Sequence, residues 1–103
     1  MALRRTEMAG RAGEVADLLR TLANRNRLMI VCALVEGEHS VGRLEEELGI
    51  RQPTLSQQLT VLRSAGVVET RRDSRQIHYR LSEARAARLV EALHTIFCRE
   101  AVP

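Results

Sequence analysis

Two thiols, an imidazole and two sets of polar side chains are the parts of this sequence whose types and spacing could do chemistry. Cys32 lies inside the apolar run LMIVCALVEG, while Cys98 follows His94 at i+4 and immediately precedes Arg99. A cysteine among apolar residues packs as a small hydrophobe. Beside cationic groups a thiol is more readily held as thiolate, the form that ligates metals and attacks sulfur. The residues alone therefore leave packing, metal binding and redox chemistry open for this pair. The first polar set is uncharged: Thr54, Gln57, Gln58 and Ser64 lie on the outer side of RQPTLSQQLTVLRSAG, where an ordinary surface helix carries more Glu and Lys. The second is basic, with Arg71, Arg72 and Arg75 around Asp73 in the segment RRDSR.

The frame for these groups is small. With 103 residues there is room for one domain, of a size that gains stability by pairing with a second copy. Sixteen arginines and no lysine stand against thirteen acids, a formal charge of +3 that leans towards an anionic partner. A single Tyr and a single Phe argue against a binder that stacks single-stranded bases on several rings. No window approaches the roughly 18 apolar residues of a membrane span, and MALRRTEMAGRAGE lacks the apolar run of a secretion signal. A cytoplasmic protein with no membrane partner is expected, and in a reducing compartment two cysteines do not read as a structural disulfide.

The elements follow from apolar spacing. Residues 1–10 are expected to form a disordered N-terminal arm, ahead of one domain over residues 11–100. Val15, Leu18, Leu19 and Leu22 mark the face of a first helix. Asn24 can cap a second, Arg25 to Val35, which is apolar nearly all round and so should be central, with Gly37 as its stop. Ser40 begins a short third helix with Val41, Leu44 and Leu48 inward, Glu45, Glu46 and Glu47 on a solvated face, and Gly49 at its end. Pro53 suits the first position of a fourth helix whose stripe is Leu55, Leu59 and Leu62. VVETRRDSRQIHYRL reads as a β-hairpin with a basic tip. From Glu83 a last helix carries Ala86, Leu89, Val90, Leu93, Ile96 and Phe97 along its whole length. So apolar a terminal helix needs a partner, which predicts a homodimer through the first and last helices. His39 and His78 read as structural or solvated.

The predicted fold class is thus mainly α with a two-stranded β-hairpin. Two short helices followed by a basic hairpin make the layout of a winged helix-turn-helix. A helix fits the major groove of duplex DNA, where Gln, Ser and Thr reach base edges, while arginines on a hairpin neutralise phosphates or enter the minor groove. Double-stranded operator DNA is the expected partner, with protein-only contacts the alternative.

Over about residues 14–98, LANRNRLMIVCALVEGEHSVGRLEEELGI and QPTLSQQLTVLRSAGVVETRRDSRQIHYRLSE resemble the ArsR/SmtB family of bacterial regulators in order and loop length. The resemblance implies a homodimer that represses transcription from an imperfect inverted repeat and lets go when an inducer binds. It places base contacts on Gln52, Thr54, Ser56 and Gln57, with Gln58 standing where many members have His. The family's metal sensors carry paired cysteines at the start of the third helix, where this chain reads EHSVGRL. Others place Asp and His ligands on the terminal helix, where this chain has Glu83, Arg85 and Ile96. No metal and no cofactor is therefore expected. The remaining pair, Cys32 and Cys98, is similar to that of the sulfide-responsive branch, the SqrR and BigR type, and is shared by HlyU-type regulators. There the resemblance implies two thiols bridged by sulfur when reactive sulfur species rise. A general thiol-oxidant sensor, a metal sensor using Cys32, Cys98 and His94, and a constitutive architectural DNA binder are the alternatives. A redox enzyme or sulfur carrier is disfavoured, because the chain has no C-x-x-C pair and no Gly-rich phosphate loop.

Overall fold

The computed structural model describes residues 2–99, so Met1 of the expected arm and residue 100 of the expected domain lie outside the described residues. The first helix, α1, spans Ala2–Leu22. It therefore runs back through the stretch expected to be a disordered arm. The reason is local: Arg4, Arg5, Glu7, Met8 and Ala9 are good helix formers, no proline interrupts them, and Gly10 costs only about 1 kcal/mol relative to Ala. An exposed i, i+3 ion pair, Arg11 to Glu14 at 2.7 Å, adds to the same helix.

Helix α2, Arg25–Val35, starts as the sequence predicts, with the Asn24 side chain accepting from the Arg27 N–H. Ile30, Val31 and Leu34 are buried on it, and it is the central element, packed by α1, α4, α5 and β3. Ser40 caps α3, Val41–Leu48, by accepting from the Arg43 N–H, and Gly49 ends it at φ 68, a left-handed conformation that costs glycine little. Helix α4, Thr54–Ser64, buries Leu55, Leu59 and Leu62 as expected. Pro53 sits one position earlier than predicted, at the N-cap.

The sheet has one strand more than the predicted hairpin. Strands β2, Val68–Asp73, and β3, Gln76–Leu81, pair antiparallel from Val68↔Leu81 to Asp73↔Gln76. A short β1, His39–Ser40, joins the other edge of β3 through His39↔Tyr79 and Ser40↔His78. Two residues carry no alternation to read in a sequence, so only the pairing reveals this strand. His39 is 2% exposed, its ring nitrogens lying 2.8 Å from the Gly37 carbonyl oxygen and 3.0 Å from Glu47 Oε2. It fastens β1 to α3, a structural role.

The final helix differs from the single run expected. Helix α5 spans Ala84–His94, and a π-helical turn, Thr95–Arg99, follows. Ala86 and Val90 are buried against the core, whereas Ile96 and Phe97 at the end of the stripe are 53% and 71% exposed. Leu19 on α1 is half exposed as well. The stripes on α1 and α5 thus extend beyond what one chain covers. Arg85 joins the two helices, 3.2 Å from Glu14 and 2.7 Å from Glu83.

Candidate functional site

Helix α4 presents its outer face on a rigid start. Pro53 has no N–H and offers no capping side chain, and Gln52 fills that role: its Oε1 accepts from the Ser56 N–H at 3.1 Å and from the Ser56 hydroxyl. One turn on, the Gln58 Oε1 accepts from Arg27 Nη1 at 2.8 Å. Three of the six polar residues singled out on this segment, Gln52, Ser56 and Gln58, are therefore engaged within the chain. Thr54 is half-buried, and Gln57 is exposed with its side chain unpaired among the described residues. Sequence reasoning passed over Arg51, which is exposed and unpaired just before Gln52, and Arg27. Arg27 did leave a signal, since a cation in a first helical turn runs against the helix dipole and needs a partner elsewhere.

In the hairpin the tip residues are Ser74, at φ 59, and Arg75. Arg72 and Arg75 are exposed and form no ion pair among the described residues. Arg71 differs. It stands two cross-strand pairs back from the turn, opposite His78, and its Nε lies 3.2 Å from both carboxylate oxygens of Glu38, with Nη2 on Oε1. This fork holds the Glu38 carboxyl below the usual carboxylate range and the Arg71 guanidinium above its ordinary value. Free positive charge at the hairpin tip therefore belongs to Arg72 and Arg75.

Of the two thiols, Cys32 lies on α2, which packs against α5, and Cys98 lies on the π turn that continues α5. Both are free, Cys32 half-buried and Cys98 exposed. Burial pushes the Cys32 thiol up from its ordinary value, and the negative charges of Cys98 and Glu36 push it further. Cys32 opens on a cleft of about 370 Å³ lined also by Glu36, Val90, His94 and Arg99. His94 and Arg99 share that cleft because they are five residues apart, the spacing that a π turn stacks. Among the described residues no three His, Cys, Asp or Glu side chains form a group that could hold a metal ion, so Cys32, Cys98 and His94 do not make the ligand set considered from the sequence.

A short helix laid across the core, a second helix with an exposed polar face, and a hairpin with unpaired arginines define a winged helix-turn-helix protein. A family model described as "Bacterial regulatory protein, arsR family" matches residues 24–70. The biofilm growth-associated repressor of Xylella fastidiosa is 65% identical over 93% of this chain and 84% of its own length. The crystal structure of the transcriptional repressor BigR from Xylella fastidiosa superposes with a TM-score of 0.90 at 66% identity, covering 91% of this chain and 96% of that one. Reduced HlyU from Vibrio cholerae gives 0.83 at 38% identity, covering 89% and 97%. A homodimeric winged helix-turn-helix DNA-binding domain from Mycobacterium bovis gives 0.73 at 33%, covering 85% and 82%. The chain belongs to the arsR family of bacterial regulatory proteins. No helix among the described residues is long and apolar enough to cross a membrane.

Proposed function

We propose that this chain is a homodimeric transcriptional repressor that binds an inverted-repeat operator and is released when Cys32 and Cys98 are bridged by reactive sulfur species. The observation that carries the reading is that α2, with the half-buried Cys32, packs against α5, whose terminal π turn carries the exposed Cys98. Identity of 65% to a repressor, against 38% to HlyU, a transcriptional activator, favours repression. The homodimer rests on the uncovered apolar faces of α1 and α5 and on the homodimeric relative.

Exposure makes Cys98 the first nucleophile. Its thiolate attacks the outer sulfur of a persulfide RSSH, giving Cys98–S–SH and releasing RSH once a proton is taken up. Cys32 then attacks the Cys98 sulfur and expels hydrogen sulfide, leaving Cys32–S–S–Cys98. The sulfane sulfur of the persulfide is the oxidant, and it leaves reduced as sulfide. Each additional sulfur in the bridge consumes one more RSSH and releases one more RSH. Bridging ties the central helix to the end of α5, and a shift there turns the paired α4 helices away from their half-site spacing. A coupling of about 1 to 3 kcal/mol, usual between linked sites, weakens binding several-fold to about a hundredfold.

The test joins mass spectrometry to operator binding. With a persulfide donor, intact mass should show an intramolecular bridge and DNA should be released, while Cys32→Ser and Cys98→Ser should bind when reduced and fail to release. Normal release by Cys98→Ser refutes the dithiol switch. Release with zinc points to metal sensing, an equal response to hydrogen peroxide to a general oxidant sensor, and no response to any of the three to an architectural binder.

A further inference from the structure

A half-buried joint at the start of α2, distinct from the thiol pair, ties one of the polar residues of α4 to the end of α1. Arg27 lies in the first turn of α2, and its guanidinium meets two other helices at once. Nε donates to the Thr21 carbonyl oxygen at 2.6 Å and Nη2 to that of Arg20 at 3.5 Å, both in the last turn of α1. Nη1 donates to Gln58 Oε1 at 2.8 Å, in the middle of α4. The partners suit the cation: the last carbonyls of a helix lack intrahelical donors and sit at the negative end of its dipole. A guanidinium has donors only, so the Gln58 atom facing it is the amide oxygen.

We propose that Arg27 is a positioning residue for DNA reading, fixing α4 against the end of α1 through Gln58, and that Gln58 serves this joint instead of reading a base. The proposal rests on the reading of α4 as the DNA-reading helix given above. An amide reads adenine by donating to N7 while its oxygen accepts from N6. With its oxygen turned to Arg27, the Gln58 amide is committed to the joint and is not free to turn that fork to a base. Gln57, the neighbouring residue, is exposed with both ends of its amide free among the described residues and can. Because α1 also carries part of the uncovered apolar face, the joint connects the reading helix directly to the side of the chain assigned to pairing. An acceptor at position 58 is then required, whereas the amide N–H₂ is dispensable.

This difference sets the experiment. Operator and random-duplex affinities are measured on the reduced full chain for Gln58→Glu, Gln58→Met, Arg27→Met and the Arg27→Met/Gln58→Met pair, with thermal unfolding as a check on folding. Gln58→Glu keeps an acceptor for the guanidinium and should stay within about threefold of the parent on operator. Gln58→Met and Arg27→Met should each lose about tenfold, spread across all positions of the half-site, and the pair should be no worse than either alone, as for residues acting through one contact. The random-duplex affinity should fall less, so the specificity ratio drops, which a general loss of stability would not produce. The joint is overturned if Gln58→Glu falls as far as Gln58→Met with the loss confined to one base pair, or if the pair loses the product of the single effects. If Arg27→Met does not fold, Arg27→Lys replaces it, since a lysine keeps the charge but cannot fork to Thr21 and Gln58 together. Should the parent show no preference for any duplex, the DNA reading itself has failed. Hydrogen exchange in the last turn of α1 then decides the joint separately: faster exchange in Gln58→Met upholds it and unchanged exchange overturns it.

Discussion

Helices α4 and α5 are both eleven residues long and both carry an apolar stripe, yet they end in different situations. On α4 the stripe is closed within the chain, with Leu55, Leu59 and Leu62 fully covered by α2 and β2, and its polar side is largely cross-tied through Gln52, Ser56 and Gln58. On α5 the stripe starts buried at Ala86 and Val90 and runs on to Ile96 and Phe97, which stay mostly exposed. The first helix is a finished rigid part whose exposed face is polar. The second is half of a surface, and the π turn at its end carries the more accessible thiol. Under the proposed function, stability and reading fall to α4, and assembly and sensing fall to α5 and its π turn.

The sharpest way to break this comparison is to make a damaging change in each helix. Leu62→Ala removes a wholly buried side chain from α4 and should cost about 2 to 5 kcal/mol in urea unfolding; a loss under about 1 kcal/mol would mean that α4 is not built into the core. Phe97→Glu changes a side chain that the single chain leaves exposed, so the fold should survive while the mass in solution shifts to monomer. Operator affinity should drop at least about a hundredfold, as two linked half-site contacts become one. A variant that remains dimeric removes the end of α5 from the pairing surface.

Smaller effects sharpen the reading end. Gln57→Ala should cost about 1 to 3 kcal/mol at a particular base pair and little on random duplex, and equal losses on both would count against base reading. Arg72→Ala and Arg75→Ala should weaken all duplexes alike and flatten the salt dependence by roughly 0.9 in log-log slope for each lost phosphate contact. Unchanged slopes would move the DNA away from the hairpin tip.

The smallest effect belongs to the surface link between α1 and α5. Arg85 holds the Glu83 carboxyl down to about 2 from the ordinary 4.5, and Glu14 is lowered too, by Arg11 first and by Arg85 second. A depressed carboxyl stabilises the fold above its unfolded value, so this contribution is complete above about pH 4.5 and disappears as the pH falls towards 2. Thermal unfolding between those limits should be less pH-dependent in Arg85→Ala than in the parent. The same slope in both proteins would show that the link adds nothing.

Much of the fold was legible because it depends on local rules. Asn24, Ser40 and Gly49 stop or start helices through their own backbone and side-chain chemistry, and Leu55, Leu59 and Leu62 identify an inward face by spacing alone. Three features were not legible. β1 is too short to show a period and exists through pairing with β3. The helical stretch from Ala2 through Gly10 carries no apolar face to read, although its residues favour helix. The π turn after His94 breaks a spacing that looks continuous in the sequence, and so it sets His94 and Arg99 on one cleft.

The same division applies to the functional groups. The sequence by itself determined which groups exist: two isolated thiols, an uncharged polar helix face and an arginine-rich hairpin, because residue type and period need no distant partner. Only the tertiary structure decided which of them are free. Gln58 and Arg71 look like ready ligands in the sequence, but Arg27, thirty-one residues away from the first, and Glu38, thirty-three away from the second, occupy them. Gln57, Arg72 and Arg75 remain open because none of the described residues is folded onto their polar groups. Hydrogen bonds and ion pairs act over a few ångströms, whatever the separation along the chain, so the commitment of a polar group is a property of packing that no local pattern can encode.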